Sequence, residues 1–355
     1  MSLKPFRYTF VLSGLIFGIV SLTFHGIFTF ALPVYAFFIV PLIEQLIPPN
    51  GRNLSDDEEE EALNNPLYDY VLYAMVPISY AFLAYGIVSL QEPGLAAYEI
   101  CGRIFSIGLA LVSAGINIGH ELGHRSAWHE RMMAKALLLP SLQMHFIIEH
   151  NRGHHKRVGT DDDPASARYG EWLYSFWIRS WIGGYLSAWK LESERLHRNR
   201  QPVISLHNEM LHFEIIQLLY VASIAAVAGW LIALYLVMAA VISKLLLETI
   251  NYIEHYGLTR RKNEQGYERV QPVHSWNSNH WIGRVLLFEL TRHSDHHYKA
   301  SRKYQVLRHY EDVPQMPAGY PAMILLAFIP PLWFYVMHRQ IRNFRQENPA
   351  AAALA

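Results

Sequence analysis

The chain has 355 residues, of which 52% are hydrophobic and only 17% charged, well below the roughly 25% charged content of a soluble domain. A formal net charge of zero removes the electrostatic basis for nucleic-acid binding. The single cysteine, Cys101, excludes an internal disulfide, an iron–sulfur cluster and a rubredoxin-type site, so any electrons the chemistry needs must come from another protein.

The start, MSLKPFRY, is basic, but the apolar stretch behind it runs into a second one without a small-residue cleavage site, so no cleavable signal peptide is expected. Six runs have the roughly 17–20 apolar residues needed to cross a bilayer: 8–28, 30–47, 70–90, 98–119, 213–229 and 231–250. The turns near Thr29, around Gln91 to Leu95 and at Gly229-Trp230 are short and carry no Lys or Arg. Basic residues thus gather on one side, which is cytoplasmic by the positive-inside rule. The expected fold is an all-α integral membrane protein. Its six transmembrane helices form three hairpins, with a cytoplasmic histidine-rich helical cap from 120–211 and 251–340, in a single catalytic domain over 1–355. Two shorter apolar stretches, 132–148 and 320–337, are interrupted by Pro140 and His145 and by Pro330-Pro331, and read as helices on the cytoplasmic face.

Ser55 followed by Glu58 is a capping-box start for a solvated acidic helix over 56–61. Within the spans, Glu99 and Arg103 are four apart, as are Lys244 and Glu248, which predicts two ion pairs along helix faces.

Nine of the 19 histidines fall in four clusters: His120 and His124; His150, His154 and His155; His255; and His293, His296 and His297. Residues three or four apart on a helix share a face, so His120/His124, His150/His154, His293/His297 and His293/His296 are each spaced to direct two rings at one metal. The neighbour in each HH doublet points about 100° away, so a doublet can offer one ring to each of two metals. His25, His129, His145, His197, His207, His212, His274, His280, His309 and His338 read as ordinary hydrogen-bonded histidines. Nine ligands suit two ions as four plus five. Imidazole fits Zn, Cu, Fe and Ni alike, but all-histidine ligation with open positions favours redox iron over structural zinc. Glu121, Glu149, Glu254 and Asp295 lie beside these histidines in sequence. Since adjacent helical residues diverge, each is expected to accept a ring N–H from a different cluster.

HELGHRS, EHNRGHHKRVGTDDDPAS, NYIEHYGL, HSWNSN and LTRHSDHHYKASRKYQVLR together resemble the integral-membrane alkane monooxygenases over roughly residues 70–340. The related xylene monooxygenases and membrane fatty-acid desaturases share the general pattern. The resemblance implies O2-dependent terminal hydroxylation of medium-chain n-alkanes at two non-haem irons held by the nine histidines. It also implies electrons from rubredoxin, fed by an NADH-dependent reductase, and a bacterial inner membrane with the site facing the cytoplasm. Without rubredoxin's cysteines in this chain, a fused rubredoxin domain is expected either to have been lost or to lie beyond Ala355, with the Asn348-Pro349-Ala350 tail then the start of its linker. Lys156, Arg157, Arg195, Arg198, Arg200, Arg302 and Lys303 are candidate docking cations for an acidic donor. Competing readings are a fatty-acid desaturase or hydroxylase, a xylene-type methyl hydroxylase, a metal transporter, and an intramembrane zinc protease built on HELGH, where Glu121 would be general base.

Overall fold

The computed structural model describes residues 2–264 and 266–347, and the Asn348-Pro349-Ala350 tail lies outside them. The described chain is helical almost throughout, with one two-stranded ribbon, Lys262–Asn263 against Gly266–Tyr267. Six helices are long and apolar enough to cross a membrane: Lys4–Thr23, Gly26–Leu46, Leu67–Leu90, Ala97–Gly123, Glu209–Ala228 and Trp230–His255. The first break falls at Phe24 and His25 rather than near Thr29. Gly26 takes φ +64° there, and its N–H donates to the Glu99 carboxylate at 2.5 Å. Thr29 is therefore already helical and fully buried. The fourth and sixth helices run past their apolar stretches and end on histidine clusters, at Gly123 and His255. Residues 132–148 divide between a helix, Trp128–Leu138, and a later turn, Phe146–Glu149. Leu173–Arg198 forms a long helix whose Gly183-Gly184 pair and scattered aromatics conceal the periodicity in sequence.

The chain divides into two compact units. One comprises residues 1–39, 66–149 and 185–247, the other 40–65, 150–184 and the chain from 248 onward. In the first unit the fourth span is central, with 78% of its apolar stretch buried against 22–50% for the other five spans. Small residues make this possible, as in other membrane helix packings. A Cβ at Gly102 would lie 2.9 Å from the Thr29 carbonyl, and one at Gly108 2.9 Å from that of Ala239.

The expected Glu99–Arg103 pair is replaced by two other arrangements. Glu99 accepts the N–H groups of Gly26 and Ala96, at 2.5 and 2.8 Å. Arg103, fully buried, donates to the Ser89 carbonyl at 2.7 Å and to Glu92 at 2.8 Å. Two orphan amides at the mouth of a turn outcompete an ion pair along the helix.

In the second unit the acidic helix is Asp56–Asn64, and Ser55 and Glu58 form the capping box at 3.3 and 3.1 Å. Its acids face the unit's own arginines: Glu58 pairs with Arg52 at 2.8 Å and Glu59 with Arg308. Glu248 accepts from Ser180 and from Asn251. Pro330 opens the helix Pro330–Glu347, where its missing N–H costs nothing, so Tyr320–Ala327 and this helix are separate pieces.

Candidate metal centre

Seven of the nine clustered histidines lie in the second unit, where they form two groups. His154, His255, His293 and His297 are all buried, and their ligand nitrogens lie within 4.8 Å of one another. The Nε2 atoms of His255 and His293 approach to 3.2 Å, and the His297 ring sits 4.7 Å from His154 and 4.5 Å from His293. In the second group His155 Nε2 lies 3.0 Å from His150 Nε2 and 3.1 Å from His296 Nε2. Converging lone pairs at such distances need a proton or a cation between them.

Each HH doublet is split, His154 and His297 serving one group while His155 and His296 serve the other. The pairing of His150 with His154 expected from helical spacing does not occur. Residues His150–His154 form a π-helical turn, and a wider turn brings i and i+5 together where an α-helix aligns i and i+4. His150 therefore faces His155, and His154 is released to the buried group. In the short α-helix His293–Tyr298 ordinary geometry holds: His293 and His297 share a group and His296 points elsewhere.

In the first unit, His120 and His124 bring their Nε2 atoms to 3.2 Å across one helical turn. The neighbouring Glu121 receives Arg125 at 3.1 and 2.6 Å, and Arg125 also lies 3.4 Å from Asp69. The carboxylate is committed to a cation rather than poised as a base.

The sequence-adjacent carboxylates divide in role. Glu254 is buried, lies 3.2 Å from His293 Nε2 and accepts the Tyr320 hydroxyl at 2.8 Å. Glu149 accepts from Ser187 at 3.3 Å. Asp295 receives Arg302 on both oxygens at 2.6 Å, the Tyr310 hydroxyl at 2.7 Å and the Arg308 N–H at 2.8 Å, so it fastens the following loop. Arg302 is thereby held in an ion pair. Arg195 is likewise held, by Glu192 and the His207 carbonyl.

A further carboxylate that orients a histidine is one the sequence pattern did not single out. Asp163 Oδ2 lies 2.8 Å from His154 Nδ1, also accepts Ser166 at 2.6 Å, and is almost fully buried. Burial works to raise the Asp163 carboxyl, but the charge and hydrogen bond of His154 outweigh it and hold the group below its ordinary range. His297 is pushed well below the usual imidazole value, first by burial and then by the surrounding histidines, and is therefore neutral and able to ligate.

HSWNSN forms a splint behind the buried group. Every residue from His274 to His280 is buried despite their polarity. The His255 ring donates to the His274 backbone carbonyl, with Nδ1 3.5 Å from Ser275 Oγ, which leaves Nε2 for a metal. Trp276 donates its N–H to the Glu254 carbonyl at 2.8 Å and its indole N–H to that of Tyr256 at 2.9 Å. Asn277 Oδ1 accepts the Ser294 N–H at 3.2 Å, capping the helix that carries His293 and His297. Asn277→Ala should therefore lower stability by about 1–3 kcal/mol, because a buried N–H loses its partner. Asn277→Asp should keep the cap, and equal thermal midpoints for the two variants would refute the role.

The residues fit a metal. Among the described residues His297 finds a hydrogen-bond partner for neither ring nitrogen although it is buried. Two unmet buried nitrogens cost about 1–3 kcal/mol each, an expense that a shared cation removes. Imidazole donors with no thiolate suit a borderline transition metal.

Comparison with known proteins agrees with this chemistry. Residues 98–327, which hold all nine histidines, match the family model described as fatty acid desaturase. Over 315 residues the chain is 40% identical to alkane 1-monooxygenase 2 of Alcanivorax borkumensis, covering 88% of this chain and 82% of that relative. The chain belongs to the alkane 1-monooxygenase family. Another alkane 1-monooxygenase, number 1 of Pseudomonas aeruginosa, is 39% identical over 342 residues, 91% of this chain and 88% of that protein. The xylene/toluene monooxygenase hydroxylase component of Pseudomonas putida shares 29% over 289 residues, 78% and 75% of the two chains. Membership in the alkane 1-monooxygenase family makes the chain an oxidoreductase and removes the peptidase reading of HELGH.

Proposed function

We propose that the chain hydroxylates the terminal carbon of medium-chain n-alkanes to primary alcohols, using O2 and electrons from rubredoxin with its NADH-dependent reductase upstream. The observation that carries this reading is the division of the second unit's histidines into two groups, with each doublet supplying one ring to each. His154, His255, His293 and His297 would hold one iron. His150, His155 and His296 would hold the other, and the resemblance of HELGHRS to the family's boxes gives His120 and His124 a ligand role as well. Bound iron would supply one-electron activation of O2 and an oxidant strong enough for an unactivated methyl group. The protein's part is to hold the rings neutral and fixed, through Asp163, Glu254 and the HSWNSN splint, and to exclude water by burying them.

An apolar pocket in the first unit supports a hydrocarbon substrate. It is lined by Leu15, Phe82, Ile107, Ala110, Leu111 and Leu137. Two polar residues in its wall, Ser79 and Tyr80, spend their hydroxyls on the carbonyls of Ala114 and Ala136, at 3.3 and 2.7 Å. Ala114 and Gly115 lie on the helix that carries His120, about 7–9 Å along its axis at about 1.5 Å per residue. An alkane makes no hydrogen bonds, so its affinity grows by roughly 0.8 kcal/mol per buried methylene, and pocket length sets the preferred chain. Filling the pocket by Ala110→Phe should cost long alkanes about 1–3 kcal/mol of fit, on the order of tenfold in kcat/KM. Short alkanes should be spared, and an equal loss for hexane and dodecane would detach the pocket from the substrate.

We also propose that the six spans form three hairpins in a bacterial inner membrane, with the histidine-rich segments on the cytoplasmic side. The breaks at Phe24-His25, Gln91 to Ala96 and Gly229 lack Lys and Arg, which supports this orientation. Lys156, Arg157, Arg195, Arg198, Arg200, Arg302 and Lys303 are candidate contacts for the donor. Two irons per chain and 1-octanol from octane, O2 and reduced rubredoxin are expected. Zinc without oxygen uptake would overturn the reading, and oxidation of an acyl thioester or xylene in place of octane would redirect it to the related enzymes.

A further inference from the structure

We propose that Tyr256 is a redox-active residue, the inner end of a short aromatic relay that carries unspent oxidising equivalents away from the metal centre to the protein surface. The inference rests on the iron monooxygenase reading above.

Tyr256 follows the ligand His255 directly, so their Cα atoms are about 3.8 Å apart, and its side chain is fully buried. Its phenolic oxygen accepts the Gly170 N–H at 2.8 Å, which leaves the hydroxyl proton for His338 Nε2, also at 2.8 Å. Burial, and then the charge of Arg342, hold His338 below the ordinary imidazole value, so it is a neutral base near pH 7. A phenol loses an electron far more readily when its proton has a base to go to.

The neighbouring rings are arranged as a path. Tyr252 and Trp333 lie 5.2 and 5.3 Å from Tyr256, centroid to centroid. Tyr252 donates its hydroxyl to the Glu171 carbonyl, which is no base, and the buried Trp333 indole N–H has no acceptor among the described residues. A hole passes through such rings without settling. Outward, Tyr169 stacks on His338 at 4.0 Å and lies 6.3 Å from Tyr256. It is 53% exposed and so open to solution. Tyr320 also donates to a base, Glu254, but among the described residues no ring contact joins it to the surface.

Hydroxylation reduces O2 with two electrons from the donor and two from the C–H bond. Without an alkane the second pair must come from elsewhere. Tyr256 gives one electron toward the oxidised centre while its phenolic proton moves to His338 Nε2. Tyr169 then returns an electron to Tyr256, the proton comes back from His338, and Tyr169 sheds its own proton to water. An aqueous one-electron reductant, ascorbate in the assay, restores Tyr169 with a proton from water. Two passes deliver the missing pair, and O2 leaves as water.

The test uses the full chain with bound metal. Flash oxidation by a soluble ruthenium photo-oxidant, read by EPR, should place a tyrosyl radical on Tyr256. Tyr256→Phe should lose that signal. Tyr169→Phe, a mild surface change, should keep it but slow its decay several-fold. Under O2 and reduced donor without alkane, Tyr256→Phe should inactivate several-fold faster than the wild type, while iron content and the initial rate of octanol formation with octane present stay unchanged. An equal radical yield in Tyr256→Phe, or equal inactivation with iron and octanol intact, overturns the relay and leaves the proposed function standing. Absence of iron or octanol in the wild type overturns that function instead, and the flash experiment, which needs no turnover, still decides whether Tyr256 is the radical site.

Discussion

His297→Ala is expected to strip iron from the buried group without destabilising the chelated protein. The usual expectation for a buried large-to-small change is a cavity cost of about 2–5 kcal/mol. Here an opposing contribution exists, because neither ring nitrogen of His297 has a hydrogen-bond partner and both are buried. Removing two unmet polar atoms recovers about 1–3 kcal/mol apiece, which is enough to cancel most of the cavity. A histidine that served the core would behave in the opposite way, costing stability and sparing iron. Losing an outer partner of a metal-bound histidine typically costs 10–100-fold in metal affinity or activity, so loss of the ligand itself should exceed that range. Iron per chain and the thermal midpoint after chelation are the two measurements. A lowered midpoint with full iron would return His297 to the core.

The second large effect concerns Asp163. Asp163→Asn should lower iron affinity about 10–100-fold while leaving the fold in place. Asparagine keeps an oxygen for the Ala165 N–H, which Asp163 now accepts at 3.2 Å, and keeps a polar partner for Ser166. What it removes is the negative charge 2.8 Å from His154 Nδ1. That charge fixes the tautomer that presents Nε2 to the metal and makes the ring a better donor. Competition with a calibrated chelator would measure the loss, and unchanged affinity would reduce Asp163 to a turn-forming residue.

These two residues also show how far the chain could be read before its structure. His120 and His124 are legible because an ordinary helix aligns every fourth residue, and the structure brings their nitrogens to 3.2 Å. His150 and His154 carry the same spacing, but the π-turn at His150–His154 sends them to different groups, and nothing in residue identity announces a wider turn. Asp163 escaped notice because its histidine lies nine positions away, brought near by the GTDDDPAS loop. Asp295, adjacent to His296, drew attention by proximity in sequence alone and instead fastens Arg302 and Tyr310. The spans are legible because composition sets them. Their ends are not, since the helices continue past the last apolar residue to Gly123 and His255, beside the histidine clusters. Among the histidines assigned no special role, His274 and His338 acquire one only through partners distant in sequence, His255 and Tyr256.

The split doublets have one more consequence. His154 and His155 share a peptide bond, as do His296 and His297, yet each pair divides its rings between the two groups. Neither proposed ion position can then be assembled without drawing the backbone of the other into place. Occupancy becomes a cooperative property: the first ion bound spends its energy ordering main chain that the second finds already set. Half-loaded protein should be scarce at equilibrium, and a lesion at one position will be felt as vacancy at both.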